Sequence, residues 1–110
     1  MGVSDGYLTY VLDQLACVGP VRFKRMFGGV GLYMHGLFFA LIANDVLYFK
    51  VDDSNRVDYE AVGMGPFRPF PDKPNVMQYY EVPADVLENM DILREWAQKA
   101  LHVAQKKSRD

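Results

Sequence analysis

Between residues 21 and 51 aromatic and β-branched side chains dominate, interrupted at short intervals by Gly28-Gly29, His35-Gly36 and Asn44-Asp45. That pattern reads as four successive antiparallel strands over 22–27, 30–34, 37–43 and 46–51. His35-Gly36 fits a two-residue hairpin turn, with Gly36 supplying the positive φ such turns need. Asn44-Asp45 serves the same purpose, since Asn and Asp tolerate left-handed geometry best after glycine. In the fourth strand Leu47 and Phe49 face one side, and Tyr48 and Lys50 the other. The expectation is a sheet with one covered face and one wetter face.

The flanks are helical. Leu8, Val11, Leu12, Leu15 and Val18 share one face of a helix over 5–18, capped by Ser4 or Asp5 and stopped by Gly19-Pro20, with glycine in a left-handed cap. Asp52-Asp53-Ser54 opens a short helix that ends at Gly63, with Val57 and Ala61 at i and i+4. The Pro-rich stretch 64–75 allows at best a brief edge strand, and strand character returns over 76–82. After Pro83, residues 84–88 suit one helical turn. A last helix over 90–105, capped by Asn89, carries an apolar stripe of Ile92, Leu93, Trp96, Ala97, Ala100, Leu101 and Ala104. The order α-β-β-β-β-α-β-α describes a two-layer α+β domain, an antiparallel sheet of about five strands flanked by helices. At 110 residues and 50% hydrophobic content, the whole span 1–110 reads as one domain.

Composition narrows the function. A single cysteine excludes an internal disulfide, and with only two histidines the chain cannot build a zinc site. The net charge of −2 argues against a protein that coats nucleic acid. The longest apolar stretch, 36–43, is too short to cross a bilayer, and no signal peptide is visible. A soluble cytoplasmic protein is expected.

Catalysis needs convergent groups, and few are on offer. Cys17 falls opposite the apolar stripe of the first helix, His35 sits on a hairpin tip, and His102 lies near the negative end of the last helix. Asp52-Asp53 is explained by capping, and Asp85 with Glu88 by a polar helical turn. Gly28-Gly29-Val30-Gly31 is followed by strand residues rather than by a helix, so it suits a bend or bulge and not a phosphate loop. Aromatic residues near Arg22, Lys24 and Arg25 suggest base stacking, but too few basic residues accompany them, and core packing or an oligomer interface is the better account. No metal, cofactor or catalytic residue is expected.

The run Arg25-Met26-Phe27-Gly28-Gly29-Val30-Gly31-Leu32-Tyr33 resembles the signature of the TfoX N-terminal domain family, named for bacterial regulators of natural competence. The likeness continues through Phe39-Ala40-Leu41-Ile42, Leu47-Tyr48-Phe49-Lys50-Val51-Asp52, Pro66-Phe67, Tyr79-Tyr80-Glu81-Val82-Pro83-Ala84 and Trp96-Ala97. The resemblance implies a secretion-chaperone-like fold and brings no catalytic residues. Competence regulators of this kind carry a second, C-terminal helical domain, so a stand-alone member is the expectation here. The first functional expectation is a non-enzymatic protein-interaction module that assists transcriptional regulation, with a protein partner that could belong to the transcription machinery. The alternative is a small-ligand-binding or enzymatic domain with a pocket near the Gly28-Gly29 bend. Arg25, Phe27, Gly28, Gly29, Tyr33 and Tyr80 are the candidate contacts for either. Neither sequence-specific DNA binding nor membrane association is expected. A homodimer joined through the uncovered sheet face is.

Overall fold

The computed structural model describes residues 3–26, 28–67 and 78–109. In chain order the elements are α1 (Asp5–Leu15), β1 (Arg22–Met26), β2 (Gly29–Met34), β3 (Leu37–Ala43), β4 (Val46–Lys50), α2 (Arg56–Glu60), β5 (Tyr79–Glu81), α3 (Ala84–Leu87) and α4 (Met90–Arg109). The five strands make one antiparallel sheet in sequence order, the α+β arrangement expected. The β2–β3 and β3–β4 hairpins are built on positive φ at each central residue: 53° and 76° at His35 and Gly36, 51° and 58° at Asn44 and Asp45. Turns of that hand match the twist of the flanking strands and so hold the register.

Register decides which side chains meet the helices. Leu32 pairs with Ala40 but Tyr33 pairs with Phe38, so Phe39 is an extra residue in β3. At such a bulge two consecutive residues oppose one, and both can turn to the same face. Phe39 and Ala40 are accordingly both fully buried. This explains the unbroken apolar run at 37–43, which simple alternation does not. With Val30, Leu32, Met34, Ile42, Leu47 and Phe49 they form the inner face of the sheet. Against it pack Leu8, Val11 and Leu15 of α1 and Leu93, Trp96, Ala97, Ala100 and Ala104 of α4.

Several boundaries differ from expectation. Helix α1 ends at Leu15, and its cap is Ala16 in right-handed geometry rather than Gly19. Gly19 instead packs closely on the sheet: a Cβ there would stand 3.1 Å from Met34 Sδ, so the Met34 side chain would have to shift. Ser4 Oγ accepts the Tyr7 amide and Asn89 Oδ1 the Ile92 amide, so both expected caps form. Helix α4 runs on to Arg109, which leaves His102 well inside it. Ile92, expected in the apolar stripe, is 41% exposed, whereas Val103 is fully buried.

The largest correction concerns α2, which is one turn shorter at its start than expected and faces the other way. Val57 is 64% exposed, while Tyr59 is 1% exposed with its ring 4.5 Å from Trp96 and 5.9 Å from Tyr80. A five-residue helix buries one side only, and an aromatic ring removes far more apolar surface from water than Val57 with Ala61. Lys99 Nζ reaches Asp58 Oδ2 at 2.8 Å and closes the rim of this contact.

On the outer face Tyr33 stacks on Phe38 at 5.0 Å, Phe38 meets Tyr79 at 5.6 Å, and Lys50 Nζ stands 5.8 Å over the Tyr79 ring. Desolvation, with Tyr33 adding to it, pushes the Tyr79 hydroxyl up to about 12. Gly65 and Phe67 bond to β5 through the Glu81 and Phe67 amides, and the Phe67 ring lies 4.8 Å from Tyr48. The start of the Pro-rich stretch thus forms the brief edge segment expected; residues 68–77 lie outside the described residues. Leu41 and Tyr79 are buried on this face, and Tyr33, Phe38, Tyr48 and Phe67 are half-buried.

Replacing Tyr59 by Ala should cost about 3–5 kcal/mol and lower Tm by at least about 10 °C. Val57→Ala should shift it by less than about 2 °C, because the side chain is in water. Thermal unfolding followed by circular dichroism compares the two.

Candidate functional site

The residues singled out in the sequence are not brought together. Arg25, on the helix side of the open edge strand β1, donates from Nη2 to Asp5 Oδ1 at 3.0 Å. Both side chains are largely in water, at 53% and 96% exposure, so this is a surface ion pair rather than an anion clamp. Gly28 makes the turn after β1 with φ 78°, and nothing lies within 4 Å of where its Cβ would be. Gly29 opens β2, whereas Tyr33 lies four residues along that strand, about 13 Å away. Tyr80 belongs to β5 at the opposite edge, about 19 Å across the sheet, where its hydroxyl donates to Glu60 Oε2 at 3.4 Å. Phe27 lies outside the described residues.

Local structure accounts for the other titratable groups. Cys17 follows the end of α1, half-buried, and its thiol donates to the Gln14 carbonyl at 3.2 Å. His35 and His102 are exposed. No group of three His, Cys, Asp or Glu side chains able to hold a metal ion occurs among the described residues. No helix among them is long and apolar enough to cross a membrane.

Asp52 is a structural carboxylate. Its Oδ1 accepts the Ser54 amide at 2.7 Å, and Oδ2 meets Lys106 Nζ at 3.0 Å, tying the end of β4 to α4. Partial burial pushes its pKa up, but the Ser54 hydroxyl, the Lys106 ammonium and the Ser54 amide outweigh that and hold it at about 2. Asn55, buried beside it, accepts the Asp52 amide at Oδ1 and donates from Nδ2 to the Lys50 carbonyl.

A concave feature among the described residues lies elsewhere, between the start of α1, the hairpin joining β3 to β4, and α3. It is an open groove of about 300 Å³. Its floor is apolar, from Val46 and Leu47 of β4, Val82 after β5, and Ala84 and Leu87 of α3. Tyr7 and Tyr10, with ring centroids 6.3 Å apart, form one wall. Asp45, Glu81 and Glu88 stand on the rim, and no Lys, Arg, His, Cys or Ser lines it among the described residues. Burial raises the Tyr7 pKa against a hydrogen bond with the Leu47 backbone, and the charges of Asp45 and Glu81 raise it further. A groove of this kind can hold side chains of another molecule; its lining offers no nucleophile paired with a base. Sequence reasoning missed it. The signal available was Tyr7 and Tyr10 at i and i+3, offset from the Leu8, Val11, Leu15 stripe.

If Asp52 acts through its depressed pKa, Asp52→Asn should cost about 1 kcal/mol at pH 7, after discounting for a carboxyl 26% exposed. A carboxylate held lower in the folded state than in the unfolded one contributes fully above about pH 4 and loses that contribution as pH falls toward 2. Denaturant unfolding across pH 2–7 should therefore show wild type and variant converging at the acid end.

No curated protein matches the chain significantly. The model of the family described as the TfoX N-terminal domain matches residues 13–104, from the last turn of α1 through most of α4, so the whole sheet described above lies within it. The chain belongs to the TfoX N-terminal domain family.

Proposed function

We propose that this domain works by docking another protein, without catalysis of its own, in the regulatory setting of transcription and competence to which its family's name refers. The observation that carries the reading is the groove between α1, β4 and α3, with its apolar floor and charged rim. Protein contacts combine such a floor, which supplies the burial, with a polar rim, which supplies register. The partner is a protein of the cytoplasm in this reading, and neither duplex DNA nor a membrane is its target. The ligand-binding alternative draws no support from geometry, since Arg25, Tyr33 and Tyr80 lie on different strands or faces and Arg25 is engaged by Asp5.

Tyr10 provides the test, because it is 38% exposed and its loss leaves the core intact. Cross-linking capture from a bacterial lysate should recover at least one protein with wild type that Tyr10→Ala recovers several-fold less. Phe23→Ala, an exposed change at the far edge, should leave recovery unchanged. Equal recovery by wild type and Tyr10→Ala would remove the groove from the function.

A further inference from the structure

The geometry points to a specific occupant for the groove: a short basic segment of a protein partner, an apolar residue flanked by Arg or Lys. This rests on the docking reading above and adds to it the chemistry of what docks.

Charge is the first argument. Asp45, Glu81 and Glu88 share the rim with no cation among the described lining residues. Asp45 accepts the Ser4 amide at 2.8 Å, which neutralises none of its charge. Glu81 and Glu88 take part in no ion pair among the described residues. Asp5, Asp52, Asp53 and Asp58, in contrast, each face an Arg or Lys of the chain. Carboxylates gathered over an apolar floor without a counter-charge create a local negative field that a cationic side chain relieves.

Shape and surface agree. Tyr7 and Tyr10 line the groove together with those carboxylates, and a guanidinium or ammonium packs on tyrosine rings while its head is paired. Leu47, Val82 and Leu87 beneath them are nearly closed to water and offer an apolar side chain a dry seat. About 300 Å³ stands at the bottom of the range for small-molecule pockets, and the site is open, which suits two or three side chains of a peptide. A metal ion is not the cation, because the carboxylates do not converge to a group able to hold one.

A second copy is the competing occupant, since β1 carries Arg22, Phe23, Lys24 and Arg25 with Phe23 48% exposed. That segment is held in the sheet by β2, and Arg25 is already paired with Asp5. A free segment of another protein fits better.

The test is an amide NMR titration of the full chain with three capped pentapeptides: Gly-Arg-Leu-Arg-Gly, Gly-Gln-Leu-Gln-Gly and Gly-Glu-Leu-Glu-Gly. The Arg peptide should shift the Tyr10, Leu47 and Val82 amides saturably. Its apparent affinity should fall about five-fold or more in Glu81→Gln/Glu88→Gln and again on raising salt from about 50 to 300 mM. Both glutamates are exposed, and the spectrum of the double variant reports whether it folds. Shifts of equal size with the Gln or Glu peptide would overturn the basic occupant and leave the docking reading standing. Silence with all three, while Tyr10→Ala still abolishes capture, would do the same. Mass that rises with concentration by light scattering, and stops rising in the double variant, would assign the groove to a second copy and overturn the partner.

Discussion

Alanines at positions 97, 100 and 104 let α4 lie close across β3 and β4, and the rest of the domain is arranged around that contact. A helix reaches a sheet closely where its side chains are short, and here the sheet supplies the bulk through Phe39, Phe49, Ile42 and Leu47. Trp96, one residue before the first alanine, projects far enough to seat Tyr59 and through it α2. Tyr59 in turn supports Tyr80, the central residue of β5. The ion pairs of Lys99 with Asp58 and Lys106 with Asp52 follow the same helix face and pin α2 and the start of the β4–α2 connection to α4. Loss of Trp96 or Tyr59 would therefore loosen the far edge of the sheet as well as one helix.

How much of this was legible in the sequence follows from which forces are local. Turn geometry is local: His35-Gly36 and Asn44-Asp45 require positive φ, so the hairpins and the strands they join were readable to within a residue or two. Caps at Ser4 and Asn89 are local too. The orientation of α2 is not. Val57 with Ala61 and Tyr59 offer rival faces on so short a helix, and only the presence of Trp96, far along the chain, decides between them. The bulge at Phe39 is likewise a negotiation between strands, invisible in an unbroken apolar run. The groove was the least legible feature. Its lining comes from α1, β4, the end of β5 and α3, and no single stretch of sequence carries more than a few of its residues. Glu88 reads as an ordinary polar turn until α1 places two tyrosines beside it.

The candidate contacts chosen from the sequence failed to converge for a related reason. Arg25, Gly28, Gly29 and Tyr33 are neighbours along the chain, but successive residues of a strand alternate between faces and advance along it. Arg25 therefore meets α1 while Tyr33 joins the aromatic row on the outer face. Proximity in sequence within a strand pair implies a shared edge, and a shared pocket only when a turn or bulge gathers the side chains.

The two edges of the sheet are also treated differently. Beyond β5, residues 65 and 67 bond to the strand and cover it, whereas β1 has no further strand among the described residues. An open edge invites a second copy to add its own β1. Here charge opposes that. With Arg22, Lys24 and Arg25 among five residues, every antiparallel register that pairs three or more positions of β1 with itself sets a cation opposite a cation. Directly opposed like charges destabilise a strand pair. The arrangement protects the edge from self-pairing while leaving it open to strands of other composition. Positive charge is thus held on the open edge strand and uncompensated negative charge on the groove rim, in a chain whose net charge is only −2. The distribution, rather than the total, gives this small surface two regions of opposite charge.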